Sequence, residues 1–171
     1  ATNQVIDAVV GAQNKNLRVK AKKENLFKNF EIVKGDDIKK YYLQSNYESD
    51  NHTLGGSCMR YSRCQPYLNI YSKNPEQVSL VILRSDEDPE KIKGRALLWK
   101  TEQGDTFMDR IYTNEDADIN VFVEYAKMNG WATKQRQTYR GDALLLADGK
   151  KIADSNLKVV LDDVNFNRYP Y

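Results

Sequence analysis

Histidine is nearly missing from this chain: its 171 residues include only His52, with two cysteines, Cys58 and Cys64. One histidine and two cysteines do not complete a four-ligand zinc site. Two cysteines supply no disulfide framework either, so a reducing compartment is the simplest setting. No apolar run reaches the roughly 20 residues that cross a bilayer. Residues 1–4 lack the basic start of a signal peptide, and residues 5–10 are short and broken by Asp7. Ala1 implies that an initiator methionine was removed. The acidic turn Asp86-Glu87-Asp88-Pro89-Glu90 has neither the alternation nor the central glycine of a calcium loop. Metal and membrane are therefore not expected among the partners.

The bulk numbers indicate a folded soluble chain. Hydrophobic residues make up 40% and charged residues 29%, with a net charge of +2, an ordinary globular balance that does not argue for nucleic acid. At this length about two-thirds of the unfolded surface can be buried without disulfide or metal. The charges are unevenly placed. Lys15, Arg18, Lys20, Lys22, Lys23 and Lys28 face Glu24 alone in one stretch, and six acids face Arg110 alone between Thr101 and Asp118. Two readings stand: two solvated faces, or a basic arm that docks on an acidic partner.

Periodicity gives the architecture. Val5, Ile6, Val9 and Val10 predict an N-terminal helix ended by Gly11, and residues 12–28 read as a basic arm. A short strand is expected at 30–33, a helix at 38–46 and another at 58–71. Residues 77–113 predict a three-stranded meander. Val78, Leu80 and Ile82 face one way and Val81 and Leu83 the other, so the first strand is expected to be covered on both sides. Strict alternation along the second strand groups Ile92, Gly94, Ala96 and Leu98 opposite Lys93, Arg95, Leu97 and Trp99. Along the third it opposes Phe107, Asp109 and Ile111 to Met108, Arg110 and Tyr112. A helix over 118–129 follows, with Ile119, Phe122, Val123 and Ala126 at helical spacing and Gly130 at its end. Asp148-Gly149 marks a two-residue hairpin turn between 143–147 and 151–153, and 157–161 reads as a last strand. The aromatic tail after Phe166 is expected to pack back on the sheet or to lead into further chain. The fold class is α/β, α+β in arrangement: a mostly antiparallel mixed sheet with helices on its faces. Residues 1–29 form a helix and basic arm, and 30–171 one α/β domain.

Candidate chemistry is sparse. His52 and Cys58 make the one nucleophile–base pair that contains histidine. Cys58 follows Gly55-Gly56-Ser57 at an expected helix start, with Arg60 near, a setting that lowers a thiol pKa. The alternative is a small buried cysteine and a loop histidine. Asp109 and Arg110 lie mid-strand, where charge requires a partner, a cleft or an edge. If the sheet splays there, Asp109 reaches a cleft with Arg95 or Cys58; otherwise Arg95 and Asp109 pair across the meander. Tyr61, Arg63 and Tyr67 place aromatics beside cations. That pattern suits a protein interface or base stacking. Lys20, Lys22, Lys23, Lys134, Arg136 and Arg140 would extend such a surface toward RNA.

The element order, with Lys93-Gly94-Arg95-Ala96 in the second meander strand and Tyr125-Ala126-Lys127 before Asn129-Gly130-Trp131, resembles the GCN5-related N-acetyltransferase fold over about 30–131. The resemblance implies acetyl-coenzyme A as cofactor, Gly94, Met108 and Tyr112 along an acyl pocket, and Cys58 or Tyr139 as proton carriers. The family's Gln/Arg-x-x-Gly-x-Gly/Ala loop, whose amides hold a pyrophosphate, is replaced by Thr113-Asn114-Glu115-Asp116-Ala117-Asp118. That segment has no glycine and three acids. Like charge at such range repels an anion. The resemblance is thus expected to hold for the scaffold and to fail for the activity, leaving no cofactor. The segments Gly56-Ser57-Cys58-Met59-Arg60, Gly94-Arg95-Ala96-Leu97-Leu98-Trp99 and Met108-Asp109-Arg110-Ile111-Tyr112-Thr113 are similar to bacteriophage proteins. This implies a viral origin and a host-cytoplasmic or virion setting. The resulting expectation is a non-catalytic binding protein with a host or phage protein partner. An N-acyltransferase and an RNA-binding module are the alternatives.

Overall fold

The computed structural model describes residues 10–18, 25, 27–137, 143–152, 157–165 and 168–170. The strands are β1 (Phe30–Val33), β2 (Val78–Arg84), β3 (Ile92–Lys100), β4 (Thr106–Thr113), β5 (Ala132–Lys134), β6 (Leu144–Leu145) and β7 (Lys151–Ile152). Besides a helical stretch at residues 10–18, the helices are α1 (Asp36–Tyr42), α2 (His52–Gly55), α3 (Asn69–Ser72) and α4 (Ala117–Met128), with 3₁₀ turns at Gln44–Asn46 and Ser62–Leu68. All strands join one sheet in sequence order. Among these strands only the β4–β5 pairing is parallel, as a crossover through α4 requires. The α+β class read from the sequence is the one observed.

β2 sits where its two-sided apolar pattern demands. Val78, Leu80 and Ile82 join one core and Val81 and Leu83 the other. Leu80, Val81 and Ile82 are fully buried, and each such side chain contributes about 1.5–3 kcal/mol of transfer free energy. The first core packs under α1, α3 and the 3₁₀ turn at 62–68. The second is covered by α4 through Phe122 and Ala126. α4 ends as its sequence indicates: Gly130 takes φ +75°, and the amides of Gly130 and Trp131 donate to the carbonyls of Lys127 and Ala126, closing the left-handed cap.

Several expected boundaries shift. Residues 10–18 are helical and exposed, so helix continues through Gly11, where an end was expected; residues 1–9 lie outside the described residues. α1 stops at Tyr42 instead of 46 and gives way to the 3₁₀ turn. The helix expected over 58–71 is a turn, a 3₁₀ run containing Pro66, and the short α3; the missing proline N–H breaks the α pattern. Residues 157–161 form no strand. They lie along the first core, where Val159 and Leu161 pack, tied by the Glu102 amide donating to the Lys158 carbonyl at 2.7 Å. The β6–β7 hairpin forms, but only Gly149 takes positive φ. The Gly149 amide donates to the Leu146 carbonyl and the Leu146 amide to the Lys150 carbonyl. This is a three-residue loop, not a two-residue one.

Two register shifts reassign faces. Leu83 pairs with Gly94 and Arg84 with Ile92, leaving Lys93 as an extra residue. Ile92 therefore joins the first core with Leu97 and Trp99, while Ala96 and Leu98 join the second. On β4, Ile111 pairs with Ala96 and Met108 with Leu98, so Asp109 and Arg110 together oppose Leu97. This bulge puts Met108 and Ile111 on the α4 side and Phe107 and Tyr112 on the other. Strict alternation had separated each pair differently, and one inserted residue inverts every later side chain.

Candidate functional site

The β4 bulge opens a cavity on the first-core face. Its volume is about 130 Å³, and its walls include Arg95 and Leu97 from β3, Asp109, Arg110 and Tyr112 from β4, and Ser57 and Met59 from the loop after α2. Tyr169 and Pro170 close one side, and the Tyr71 hydroxyl donates to the Pro170 carbonyl at 3.2 Å. The C-terminal segment is held nearby by Asn74, whose amide donates to the Asp163 carbonyl and whose oxygen accepts the Asp163 amide, both at 2.7 Å. Of the aromatic tail, Tyr169 and Pro170 pack back in this way, the first of the two alternatives expected; Phe166, Asn167 and Tyr171 lie outside the described residues. β4 and β5 pair only at Phe107–Ala132 and Met108–Thr133. Beyond the bulge the Ile111 amide donates instead to Gln137 Oε1 at 2.8 Å. The sheet parts just where the charged pair stands.

Arg95 is the central charge. It is 1% exposed, a placement arginine rarely adopts without a partner. Nη2 donates to Ser57 Oγ at 2.9 Å and to Tyr47 Oη at 3.3 Å, and Nε donates to the same phenol at 3.4 Å. The Tyr47 hydroxyl in turn donates to the Tyr42 carbonyl. The guanidinium carbon lies 3.8 Å from the Tyr42 ring centroid and 4.7 Å from that of Tyr112, where ring quadrupoles offset part of the lost hydration. Burial opposes the charge, but the phenol oxygens of Tyr47 and Tyr42 and the Tyr47 hydrogen bond outweigh it, so the pKa is raised. Arg95 stays a cation. Among the described residues no carboxylate lies within 4.0 Å of it.

Arg110 stacks against Tyr112 at 4.9 Å, and its Nε is buried with no hydrogen-bond partner. Asp109 accepts the Trp99 indole N–H at 3.1 Å and the Arg110 amide at 2.7 Å, not an Arg95 guanidinium. The mid-strand charges thus share one cavity, and the cross-meander ion pair is not formed. Burial raises the phenol pKa values of Tyr42, Tyr71 and Tyr169, with Asp109 adding to each. These hydroxyls remain neutral donors at physiological pH.

The other expected site residues scatter. Gly94 faces α4: a Cβ there would stand 2.6 Å from the Phe122 ring, so a protein side chain fills the close approach and no ligand does. Met108 is 1% exposed in the same core. Of the expected acyl-pocket set only Tyr112 reaches the cavity. Cys58 is exposed in a turn, not at a helix start, and its carbonyl accepts the Cys64 thiol at 3.6 Å. Arg60 donates to the Ser57 carbonyl at 2.8 Å. His52 turns toward Asp116, Nδ1 to Oδ1 3.8 Å, away from the nucleophile–base role. Lys134 is buried at 8% exposure and does not belong to an exposed basic face; Arg136 is exposed. Lys20, Lys22, Lys23, Tyr139 and Arg140 lie outside the described residues. Tyr61 and Arg63 do meet: the Arg60 and Arg63 guanidiniums lie 4.1 and 4.3 Å from the Tyr61 ring. Tyr67 stands on the same 3₁₀ turn with Arg168 at 5.8 Å.

The entrance to α4 is occupied by the chain itself. The Asn114 side-chain Nδ2 donates to the carbonyls of Ser49 and Asn51 at 2.8 and 2.9 Å. The Asp118 and Ile119 amides donate to the Glu115 and Asp116 carbonyls. Two of the backbone amides at this helix start are thus engaged within the chain, and the segment that leads into it carries Glu115, Asp116 and Asp118.

The sequence hinted at Arg95, a lone cation amid Gly94, Ala96 and Leu97, but carried no sign that Ser57, Tyr42 and Tyr169 would converge on it. No helix among the described residues is long and apolar enough to cross a membrane, and none of their His, Cys, Asp and Glu side chains cluster as a metal site. Neither the known protein families, the curated proteins nor the solved structures include a match to this chain.

Proposed function

We propose that this chain is a non-catalytic binding protein that docks an acidic protein partner, a host factor or virion subunit in the phage setting its wording suggests. The observation that carries the reading is Tyr61 flanked by the Arg60 and Arg63 guanidiniums at 4.1 and 4.3 Å. Among the described residues neither arginine has a carboxylate within 4.0 Å. Arginine on tyrosine, partly exposed, is the composition of an interface anchor. Tyr67, Arg168, Tyr169 and Pro170 line a neighbouring recess with Cys58 and Met59, so the surface continues to the Arg95 cavity.

Polyglutamate retained on the immobilised protein, and lost with Tyr61→Ala combined with Arg63→Glu, is the expected result. Capture of a host protein by the wild type but not by the double variant would name the partner. Retention that ignores these substitutions would overturn the reading. Binding of single-stranded RNA that falls steeply and linearly in log salt would transfer the surface to nucleic acid.

An N-acyltransferase on an acetyltransferase-like scaffold is the second reading, favoured by the β4 bulge and the parting of β4 from β5. Against it stand the three acids of the segment before α4 and the filled space at Gly94. Acetyl-coenzyme A should then stabilise the chain by about 2.7 kcal/mol at 100 times its Kd. No thermal shift at millimolar cofactor removes this reading.

A further inference from the structure

We infer that the cavity beside the β4 bulge is a binding site for a single carboxylate group. Arg95 is 99% removed from solvent and lines the cavity. Its hydrogen bonds run from Nε and Nη2 to Tyr47 and Ser57, with none from Nη1 among the described residues. Arg110 lines the same space, with a buried Nε that no group accepts. A buried cation is costly unless it is paired; Arg95 has no carboxylate within 4.0 Å among the described residues, and with the half-buried Arg110 beside it, against Asp109 alone, the cavity has a place that an anion would complete. Cation–π contacts from Tyr42 and Tyr112 hold the guanidiniums in position, so their donors are fixed before a ligand arrives.

Charge and size narrow the occupant. Among the described lining residues the ionised groups are Arg95, Arg110 and Asp109, a net of +1. A monoanion cancels that charge; a phosphate dianion overshoots it and meets Asp109. Planar guanidinium forks suit the two oxygens of a carboxylate. The volume of about 130 Å³ equals the liquid share of about four waters, enough for a carboxylate with a short carbon stem. The inference goes beyond the docking surface at Tyr61 and does not depend on it: the cavity can fill whether or not that surface binds a partner.

The test is a titration of the full chain with sodium acetate at constant ionic strength set by sodium chloride, read by two-dimensional NMR of the arginine Nε–H signals. Saturable shifts of the Arg95 and Arg110 signals are expected. Arg110→Met keeps the aliphatic stem and should weaken acetate binding by about tenfold or more. A parallel titration with N-acetylaspartic acid amide separates the sources. Acetate alone assigns a free small acid, and equal response to the blocked aspartate assigns an acidic side chain of a peptide. Shifts that never saturate, that chloride reproduces, or that persist unchanged in Arg110→Met overturn the inference. So does phosphate binding more tightly than acetate. The wild-type signals decide the matter even if the variant does not fold. Loss of polyglutamate retention with acetate binding intact would sink the docking surface and leave the cavity standing.

Discussion

The two faces of the sheet both carry apolar cores but differ in how much polarity they admit. Under α4 the contacts are Val81, Leu83, Ala96, Leu98, Met108 and Ile111 against Phe122 and Ala126, apolar throughout. Across the sheet the matching positions carry Arg95, Trp99, Asp109, Arg110 and Tyr112, and the helices above them bring Tyr42 and Tyr71. Apolar packing is non-directional and tolerates only close fit. Buried polar groups must each find a donor or acceptor, and a partly satisfied network stands ready for a ligand. Both faces hold the sheet together through apolar packing, and the first-core face alone also admits the buried polar groups from which chemistry is built.

Phe122→Ala tests the first half of that contrast most severely. The ring is fully buried against Gly94, and its loss should cost about 3–5 kcal/mol, seen as a lower urea midpoint at unchanged slope. Gly94→Ala comes next. A Cβ 2.6 Å from the Phe122 ring forces a shift in a full core, at about 1–3 kcal/mol. Adding Phe122→Leu should recover part of it, since the two residues compete for one space. Arg95→Met probes the other face. Replacing a buried charge with an apolar chain of similar length should change stability by about 1 kcal/mol or less, while acetate no longer shifts the cavity signals. A loss as large as that of Phe122→Ala would erase the distinction between the faces.

The smallest effect concerns Asp118, whose Oδ2 is buried without a partner at the start of α4. Burial raises its carboxyl pKa, with Lys93 pulling the other way. The folded chain thus keeps that proton to higher pH than the unfolded chain. The stability this gives is full below the ordinary value of 3.8 and is lost as pH rises through the raised folded value. Asp118→Asn should flatten that decline and be at least as stable as wild type at pH 7, measured by urea unfolding from pH 3 to 7. A steeper decline in the variant would mean that the carboxylate is stabilised by the helix terminus instead.

What could be seen beforehand follows from how local each signal is. The two-sided pattern of Val78 to Leu83, the stripe Phe122 and Ala126 and the glycine stop at Gly130 are each written in a few neighbouring residues. Together they determined the meander, α4 and the class of the fold. The site was less legible. Asp109 and Arg110 stood out as charges in a strand, and Tyr61 with Arg63 as an aromatic beside a cation. Yet Ser57 and Tyr169 join Arg95 from positions far apart in the chain, through a turn and a tail with no periodicity of their own.

The sequence by itself determined the meander strands and α4, because backbone preference and apolar period are properties of adjacent residues; it did not determine 58–71 or 157–161, whose form depends on packing. The tertiary structure alone decided which face Ile92, Ile111 and Tyr112 take. That depends on bulges set by hydrogen-bond register with the neighbouring strand. It also decided that Arg95, Asp109 and Arg110 meet in one cavity, since a bulge that inserts a single residue turns a side chain from one core to the other, and only the paired strand fixes where it falls.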